Sequence, residues 1–473
     1  MGKNILSKST FIKGEQCIKA LYLYKNRYFL RDKMPPERVA VFMRGTKVGK
    51  MAQQLFPYGV DCGVNSPSQY SKAIEKTRNL IDSGQKIIYE AAFQAHRTLI
   101  FLDILVNEDD SWHAYEVKSS LKLSPTYYKD AALQYFIMKE SGLDLKSINL
   151  VYINENYTLN KELNLNSAFK IEDVTQNSIE LYSSIKEKID NQITAIQGTE
   201  SPKIDIGLHC RNPYDCDFIG HCWKHISKES IFNIPDLSFE NKYKIFIDSN
   251  NQKDIIESIL SENLIAKRQF QSHINNLTFY NHEKFTEIFI PNSGYYLLKL
   301  LSFRPAIPIY HDTQPYQKII YGFYLMKMSE QNELIETEIY VNKENVNPNE
   351  IIINKLNSII KPSLRIYTYK DYSGKDETNF NNPVYNLIDI FKNGDIVIAG
   401  NNNYNFSTIY KSTFGKSAWF SKITIDEQAA IIYEKSLRNN FENEEELNQI
   451  NNYLKEWVNH FSKLYINLSS IKP

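Results

Sequence analysis

Residues 87–118 read IIYEAAFQAHRTLIFLDILVNEDDSWHAYEVK, and three strands are legible in them. Ile87–Phe93, Leu99–Leu105 and Trp112–Val117 are runs of β-branched, aromatic and aliphatic residues, and the turn formers of Asn107–Ser111 separate the last two. Asp103 interrupts the apolar run Phe101-Leu102-Asp103-Ile104-Leu105, where an ionised carboxylate is costly to bury without a partner. Glu116 and Lys118 stand two apart on the next strand, so they project from one face. Adjacent strands can therefore bring Asp103, Glu116 and Lys118 together. Glu90, in Ile88-Tyr89-Glu90-Ala91-Ala92-Phe93, is a third acid in an apolar strand.

Outward from this meander, residues 44–56 and 68–83 read as helices, Tyr127–Ser141 as a further helix and Ile148–Ile153 as a strand. A helix, a meander and a helix–strand crossover predict an α/β fold, a mixed sheet with flanking helices. On Tyr127–Ser141, Asp130 and Gln134 are four apart and share a helical face. Residues 9–33 open with a Ser/Thr cap signal and continue with apolar residues at helical spacing, and Pro35 and Pro36 are expected to end that helix. Residues 178–197 are helical and lead into a cysteine segment, and residues 236–278 form a mostly helical connector. Beyond Tyr295, strand candidates Lys318–Met326, Ile335–Val341 and Leu364–Tyr369 alternate with loops, and residues 425–467 close the chain as helix. The partition is a first domain over 1–230, a connector over 231–284 and a second α/β domain over 285–473.

Composition narrows the class. A length of 473 residues predicts two to four domains, and 42% hydrophobic with 23% charged residues excludes wholesale disorder. The 55 Lys and Arg balance the 55 Asp and Glu, which excludes a uniformly basic coat. Residues 1–50 nevertheless carry 12 basic against 3 acidic residues, a local positive field suited to guiding a phosphate backbone or, more plainly, a solvated helical face. No apolar run of membrane-spanning length and no apolar leader are present, so a soluble cytoplasmic protein without membrane association is expected.

The set Asp103, Glu116 and Lys118 suits phosphodiester hydrolysis. Two carboxylates hold a hard divalent ion, which polarises the phosphate and acidifies a water, and a lysine orients that water or offsets charge at phosphorus. A cross-strand salt bridge beside a turn is the bland alternative. Gln134 suits a metal-bound water or phosphate oxygen, or is simply a helix-surface amide.

Taken together, the runs around Glu90, Asp103 and Tyr115-Glu116-Val117-Lys118-Ser119-Ser120, with Asp130…Gln134-Tyr135, resemble the RecB-like branch of the PD-(D/E)XK nucleases over roughly residues 10–225. The resemblance implies a restriction-endonuclease-like sheet, Mg2+ or Mn2+ bound by Asp103 and Glu116, and a catalytic Lys118 assisted by Gln134. It also implies DNA as partner, single-stranded or with free ends, in repair or in defence against invading DNA. Two positions depart from the pattern. Arg44-Gly45-Thr46-Lys47-Val48-Gly49-Lys50 occupies the helix that carries a metal-binding histidine in the family, and Met138 replaces a tyrosine, so either weaker metal binding or Glu90 as the stand-in third ligand is expected.

Cys210, Cys216 and Cys222 fall within 13 residues, in a loop bearing Pro213 and Gly220. Three soft ligands suggest a metal: zinc completed by His209 or His221, or an iron–sulfur cluster completed by a fourth cysteine. RecB-like nucleases with an iron–sulfur staple, the AddB subunit and the CRISPR-adaptation exonucleases among them, place one cysteine before the core and three after it. That resemblance implies a 4Fe-4S cluster on Cys17, Cys210, Cys216 and Cys222, with Cys62 left as an ordinary buried thiol.

In the second half, Pro305-Ala306-Ile307-Pro308-Ile309-Tyr310-His311-Asp312 resembles a bacterial family that joins a RecB-like half to a DnaQ-type (DEDD) exonuclease of RNase H-like fold. Its Asp-x-Glu metal pair aligns with Lys299 and Leu301, which implies an inactive domain, with Asp389 as a lone downstream acid and Lys299 on phosphate or at the surface. Binding or assembly with a protein partner is the role this leaves for residues 285–473.

Overall fold

Near-continuous apolar runs, buried on both faces, build the central meander. The structure, a computed structural model, describes residues 4–471 apart from 228, 290–293, 371–379, 381 and 419. Strands β1 (Leu6–Ser7), β2 (Val60–Asp61), β3 (Ile87–Ala95), β4 (Thr98–Glu108), β5 (Ser111–Lys118), β6 (Leu145–Ile153) and β7 (Phe169–Asp173) form one mixed sheet. Its order is β2-β3-β4-β5-β6-β7, with β1 added parallel to β4. The pairs β3–β4, β4–β5 and β6–β7 are antiparallel, whereas β2–β3 and β5–β6 are parallel. The helices are α1 (Lys8–Gln16), α2 (Ile18–Asn26), α3 (Pro36–Ala52), α4 (Tyr70–Asp82), α5 (Pro125–Glu140), α6 (Leu165–Ala168), α7 (Thr175–Gln197) and α8 (Ile219–Cys222). The parallel β5–β6 pair needs a crossover, and α5 supplies it.

One core lies against α5 and α7, around Leu102, Leu105, Ala114, Leu133 and Ile189. A second takes the opposite side of the sheet, where Val48 and Ala52 of α3 meet Ile104, Val106 and Val151. The faces exchange in mid-sheet. On β4 the first core receives Ile100 and Leu102 but then Leu105, and on β3 it receives Ile88 but then Ala91 and Phe93. Both slips fall at the Glu90–Asp103 level, and a one-residue slip turns every later side chain over.

The long helix expected over 9–33 is two helices, broken at Cys17, whose extended backbone (φ −160°) caps α2. Pro35 and Pro36 do not end it, since α2 stops at Asn26; Pro36 instead opens α3. Proline suits a first helical position, where its missing N–H would have had no partner.

The chain divides into two compact units: 1–224 with 305–317, and 225–304 with 318–473. The helical stretch expected as a connector thus belongs to the second unit, and Pro305–Gln317 belongs to the first. Ala306 and Ile307 are buried in the core behind β4 and β6, and the Tyr316 hydroxyl donates to the Ser119 carbonyl. Hydrogen bonds between Leu159 and the backbone of Asp312 and Thr313, at 2.7 and 3.0 Å, fasten the segment.

In the second unit, β8 (Phe279–Tyr280) pairs with β14 (Ile396–Val397). The main sheet has β9 (Tyr295–Phe303), β10 (Ile319–Met328), β11 (Leu334–Val341), β12 (Arg365–Thr368) and β13 (Val384–Asn386) in the order β11-β10-β9-β12-β13. Its β9–β10–β11 meander is antiparallel, and β12 and β13 join parallel. Helices α9 (Phe239–Ser249), α10 (Lys253–Ile259), α11 (Leu264–Asn275) and α12 (His282–Ile288) precede this sheet. Those within or after it are α13 (Asn349–Ile359), α14 (Leu387–Lys392), α15 (Phe406–Phe414), α16 (Asp426–Arg438) and α17 (Glu444–Ser469). No helix among the described residues is long and apolar enough to cross a membrane.

Candidate active site

The carboxylates gather where two strand ladders lapse. The β3–β4 ladder pairs Tyr89 with Ile104 and Ala91 with Leu102 but skips Glu90, which has φ +50°. A left-handed glutamate inside a strand costs on the order of 1–3 kcal/mol, strain of the kind that collects at working sites. Gly63 leaves room for it: an added Cβ there would lie 3.3 Å from Glu90 Cγ. The β4–β5 ladder stops at Ile104–Tyr115, one step short of Asp103 opposite Glu116. Asp103 fills the gap, its Oδ2 accepting from the Val117 N–H at 2.6 Å.

Glu116 is almost wholly buried, at 2% exposure, and its Oε1 accepts from both Lys118 Nζ and Lys8 Nζ at 2.7 Å. Its Oε2 is buried without a hydrogen-bond partner. Lys118 also pairs with Asp130 Oδ2 from α5, and Lys8 Nζ stands 3.9 Å from the same oxygen. Asp130 Oδ1 and both amide atoms of Gln134 are buried without partners. A fully buried amide with no partner forfeits about 1–3 kcal/mol per polar group, a cost that a working site bears more readily than a packing position does. Asp103, Glu116 and Lys118 thus meet as expected and Asp130 joins them. Gln134 lies on the Asp130 face of α5 but bonds to none of the others.

The electrostatics follow from this crowding. Burial, then the Glu116 charge, pushes the Asp103 carboxyl up to about 8, against the opposing pull of Lys8. Burial would raise Glu116 too, but Lys118 and Lys8 overcome it and hold that carboxyl below its ordinary range. Lys8 and Lys118 are raised: burial opposes their charge, and Asp130 and Glu116 prevail. Glu90 is raised by burial, with Lys50 opposing. In place of a histidine, α3 offers Lys50, which pairs with Asp61 at 2.8 Å.

Lys8 was not singled out by sequence. Its signal was only the basic character of the first fifty residues. Its position comes from the β1–β4 pairing and from a capping box in which Ser7 and Thr10 exchange hydrogen bonds at the start of α1.

The four predicted cluster cysteines line one cavity with Ala20, Phe218 and Trp223. All are free thiols. Burial raises Cys17 despite the amides of Ala20 and Lys19 in the first turn of α2, and burial pushes Cys216 up to about 12 despite the Phe218 amide. Four soft donors around one apolar cavity, with backbone N–H groups turned to two of the sulfurs, fit an iron–sulfur cluster; a Cys3His zinc set with the neighbouring His209 remains chemically available. Cys62 is buried in the core beside α5, away from this set. Among the described residues, no group of three or more His, Cys, Asp or Glu is set as it stands to hold a metal ion. In the carboxylate site two ammonium groups stand among the acids.

Where the resemblance aligns a lost metal pair, the second unit holds a closed charge centre. Lys299 is neither surface nor phosphate ligand: it is 4% exposed, 2.8 Å from Asp426 Oδ1, with Nζ 4.3 Å from the Trp457 ring centroid. Lys370 and the Tyr453 hydroxyl complete the shell of Asp426 at 3.0 and 2.8 Å. Leu301 is buried, and Asp389 lies on α14, where its Oδ1 accepts from Asn386 at 3.5 Å. The chain matches no protein-family model and no curated protein.

Proposed function

We propose that the chain is a Mg2+- or Mn2+-dependent DNA nuclease whose chemistry belongs to the first unit. The observation that carries this is Glu116: buried, it gives one oxygen to two lysines and keeps the other unpartnered, beside an Asp103 that burial, then the Glu116 charge, pushes up to about 8. Acids so placed favour a divalent ion. Asp103 and Glu116, with Glu90, are the residues that would hold it; when bound, it supplies Lewis-acid polarisation of a phosphate oxygen and an acidified water.

The chain's own residues do the rest. Lys118, drawn between Glu116 and Asp130, presents an ammonium to the phosphate and keeps Glu116 ionised. Gln134, buried and unpaired, positions a water or phosphate oxygen. Cys17, Cys210, Cys216 and Cys222 would hold a 4Fe-4S cluster that pins the α1–α2 break to the end of the unit, a structural staple across a long loop. The slipped mixed sheet with α5 as crossover supports the PD-(D/E)XK reading. In the second unit, an antiparallel meander extended by two parallel strands supports an RNase H-like fold. With Lys299 paired to Asp426, its role is assembly with a partner protein or nucleic acid rather than hydrolysis.

The test is cleavage of labelled single-stranded and duplex DNA with Mg2+ or Mn2+, comparing anaerobically purified wild type with Lys118→Ala. Metal-dependent cutting that the substitution lowers by at least a hundredfold is the expected result. Cutting that survives the substitution moves the site elsewhere. No cutting by folded, cluster-loaded wild type favours a second reading, a non-catalytic iron–sulfur scaffold subunit, which the two lysines neutralising Glu116 would suit.

A further inference from the structure

The first half of α3 is a helix without a partner. Of its 17 residues only Val48 and Ala52 are buried. Val39, Phe42 and Met43 are 42%, 51% and 50% exposed, and nearby Tyr28 and Phe29 are 53% and 77% exposed. Tyr28, Arg31, Arg38 and Phe42 are joined into one surface through Asp217. Arg31 donates to the Tyr28 hydroxyl at 2.8 Å and pairs with Asp217 at 3.3 Å; Arg38 pairs with Asp217 at 2.6 Å and lies 5.8 Å over the Phe42 ring. Lys13 is a third cation on the same carboxylate, at 2.6 Å. The segment is basic, with seven Lys and Arg against two acids in residues 27–50.

We propose that this face is the platform on which single-stranded DNA lies as it approaches the carboxylates, an inference that rests on the nuclease reading and narrows its substrate. Rings alternating with guanidinium groups match an unpaired strand, whose bases offer π-faces and whose backbone brings the negative charge. Duplex DNA hides those faces, and an apolar protein partner would have to cover the guanidinium groups of Arg31 and Arg38. The helix also leads to the site: Gly45, three residues beyond Phe42, passes Ser119, with 3.9 Å from an added Cβ to Ser119 Oγ, and Ser119 follows Lys118. The cluster loop enters through Asp217, next to Cys216, which gathers both arginines against the rings.

The test is fluorescence anisotropy of a labelled oligothymidine and of a blunt duplex, without divalent ions, on the full cluster-loaded chain. Binding is read without cleavage, so a failed nuclease reading does not obscure it. Phe29→Ala with Phe42→Ala is expected to weaken single-strand binding by about tenfold or more and duplex binding by less than about twofold. Phe42→Tyr, which keeps a ring, is expected to retain wild-type affinity. Both phenylalanines are exposed, so the variants fold, and cluster absorption with the thermal midpoint checks it. Single-strand affinity within twofold of wild type overturns the proposal. So does an equal loss on duplex, which would mean a generic backbone site. A fall in solution mass of the double variant would give the face to a second copy and overturn it likewise.

Discussion

Lys8→Met tests whether the carboxylate site is built for a cation it can exchange. The ammonium of Lys8 lies 2.7 Å from Glu116 Oε1. At an effective dielectric of about 20, two unit charges at that separation attract by roughly 6 kcal/mol before desolvation is counted. Desolvation of both groups offsets about half of this, and Lys118 keeps its own contact with Glu116, so removal of Lys8 should cost the metal-free protein about 2–3 kcal/mol. Methionine retains the stem and removes only the charge. A divalent ion that binds the native state alone stabilises it by mass action, and it should bind the variant more tightly because one competing cation is gone. Urea unfolding followed by circular dichroism, with and without saturating Mn2+, reads both effects. The gap between wild type and variant is expected to shrink to under about 1 kcal/mol with Mn2+, and calorimetry is expected to show tighter Mn2+ binding by the variant. A gap that stays constant at every Mn2+ concentration would refute the reasoning, because Lys8 would then be a structural ion pair and nothing more.

Three further outcomes follow from the same geometry. Asp103, raised to about 8 from an ordinary carboxyl value of 3.8, holds a proton in the native state that the unfolded chain has lost. Its contribution is therefore full below pH ~4 and is lost as pH rises toward ~8, at no more than about 1.4 kcal/mol per pH unit; Asp103→Asn should flatten that slope in a metal-free pH series of unfolding midpoints. Asp426→Asn strands Lys299 and Lys370 and is expected to cost about 3–5 kcal/mol in urea unfolding, whereas a loss under about 1 kcal/mol would show the centre to be solvated. Cys216→Ser should abolish visible cluster absorption and lower the thermal midpoint of anaerobic protein, and unchanged absorption would remove Cys216 from the ligand set.

Sequence made the central meander legible because its signals are local. Ile87–Phe93, Leu99–Leu105 and Trp112–Val117 are each strands, and each is two to four residues longer in the structure, since hydrogen-bonded ladders run into the polar turn ends. Asp103, Glu116 and Lys118 were legible for a related reason: charges inside apolar strands demand partners. What escaped was non-local. The exchange of faces at Glu90 and Asp103 depends on a left-handed φ that no periodicity reports. Lys8 enters through a two-residue strand, and Phe169–Asp173 is too short and polar to stand out. Cys17 interrupts a helical pattern that continues in register on both sides, so one long helix was expected where two exist. Lys299 lies in Tyr295–Phe303, a nearly unbroken apolar run typical of a strand buried on both faces. That run should have ruled out a surface lysine, although its partner, Asp426, lies 127 residues away.

The two acid centres differ in how completely their oxygens are used. Asp426 has both oxygens engaged: Oδ1 with the Tyr453 hydroxyl and Lys299, Oδ2 with Lys370 and Lys299. Its lone pairs are used, its pKa is held below the ordinary range by the two lysines against the effect of burial, and a metal would have to break bonds already made. Glu116 is more deeply buried, at 2% against 16% exposure, and two lysines also hold it ionised, yet both sit on Oε1. Oε2 has no partner, and Asp130 Oδ1 and the Gln134 amide share that condition. Leaving several buried polar atoms unsatisfied in one place costs more than a fold has reason to sustain, whereas a ligand that enters and leaves requires it. On that criterion Asp426 is a completed charge centre, whereas Glu116, Asp130 and Gln134 keep buried polar atoms unpaired on the side the lysines do not occupy.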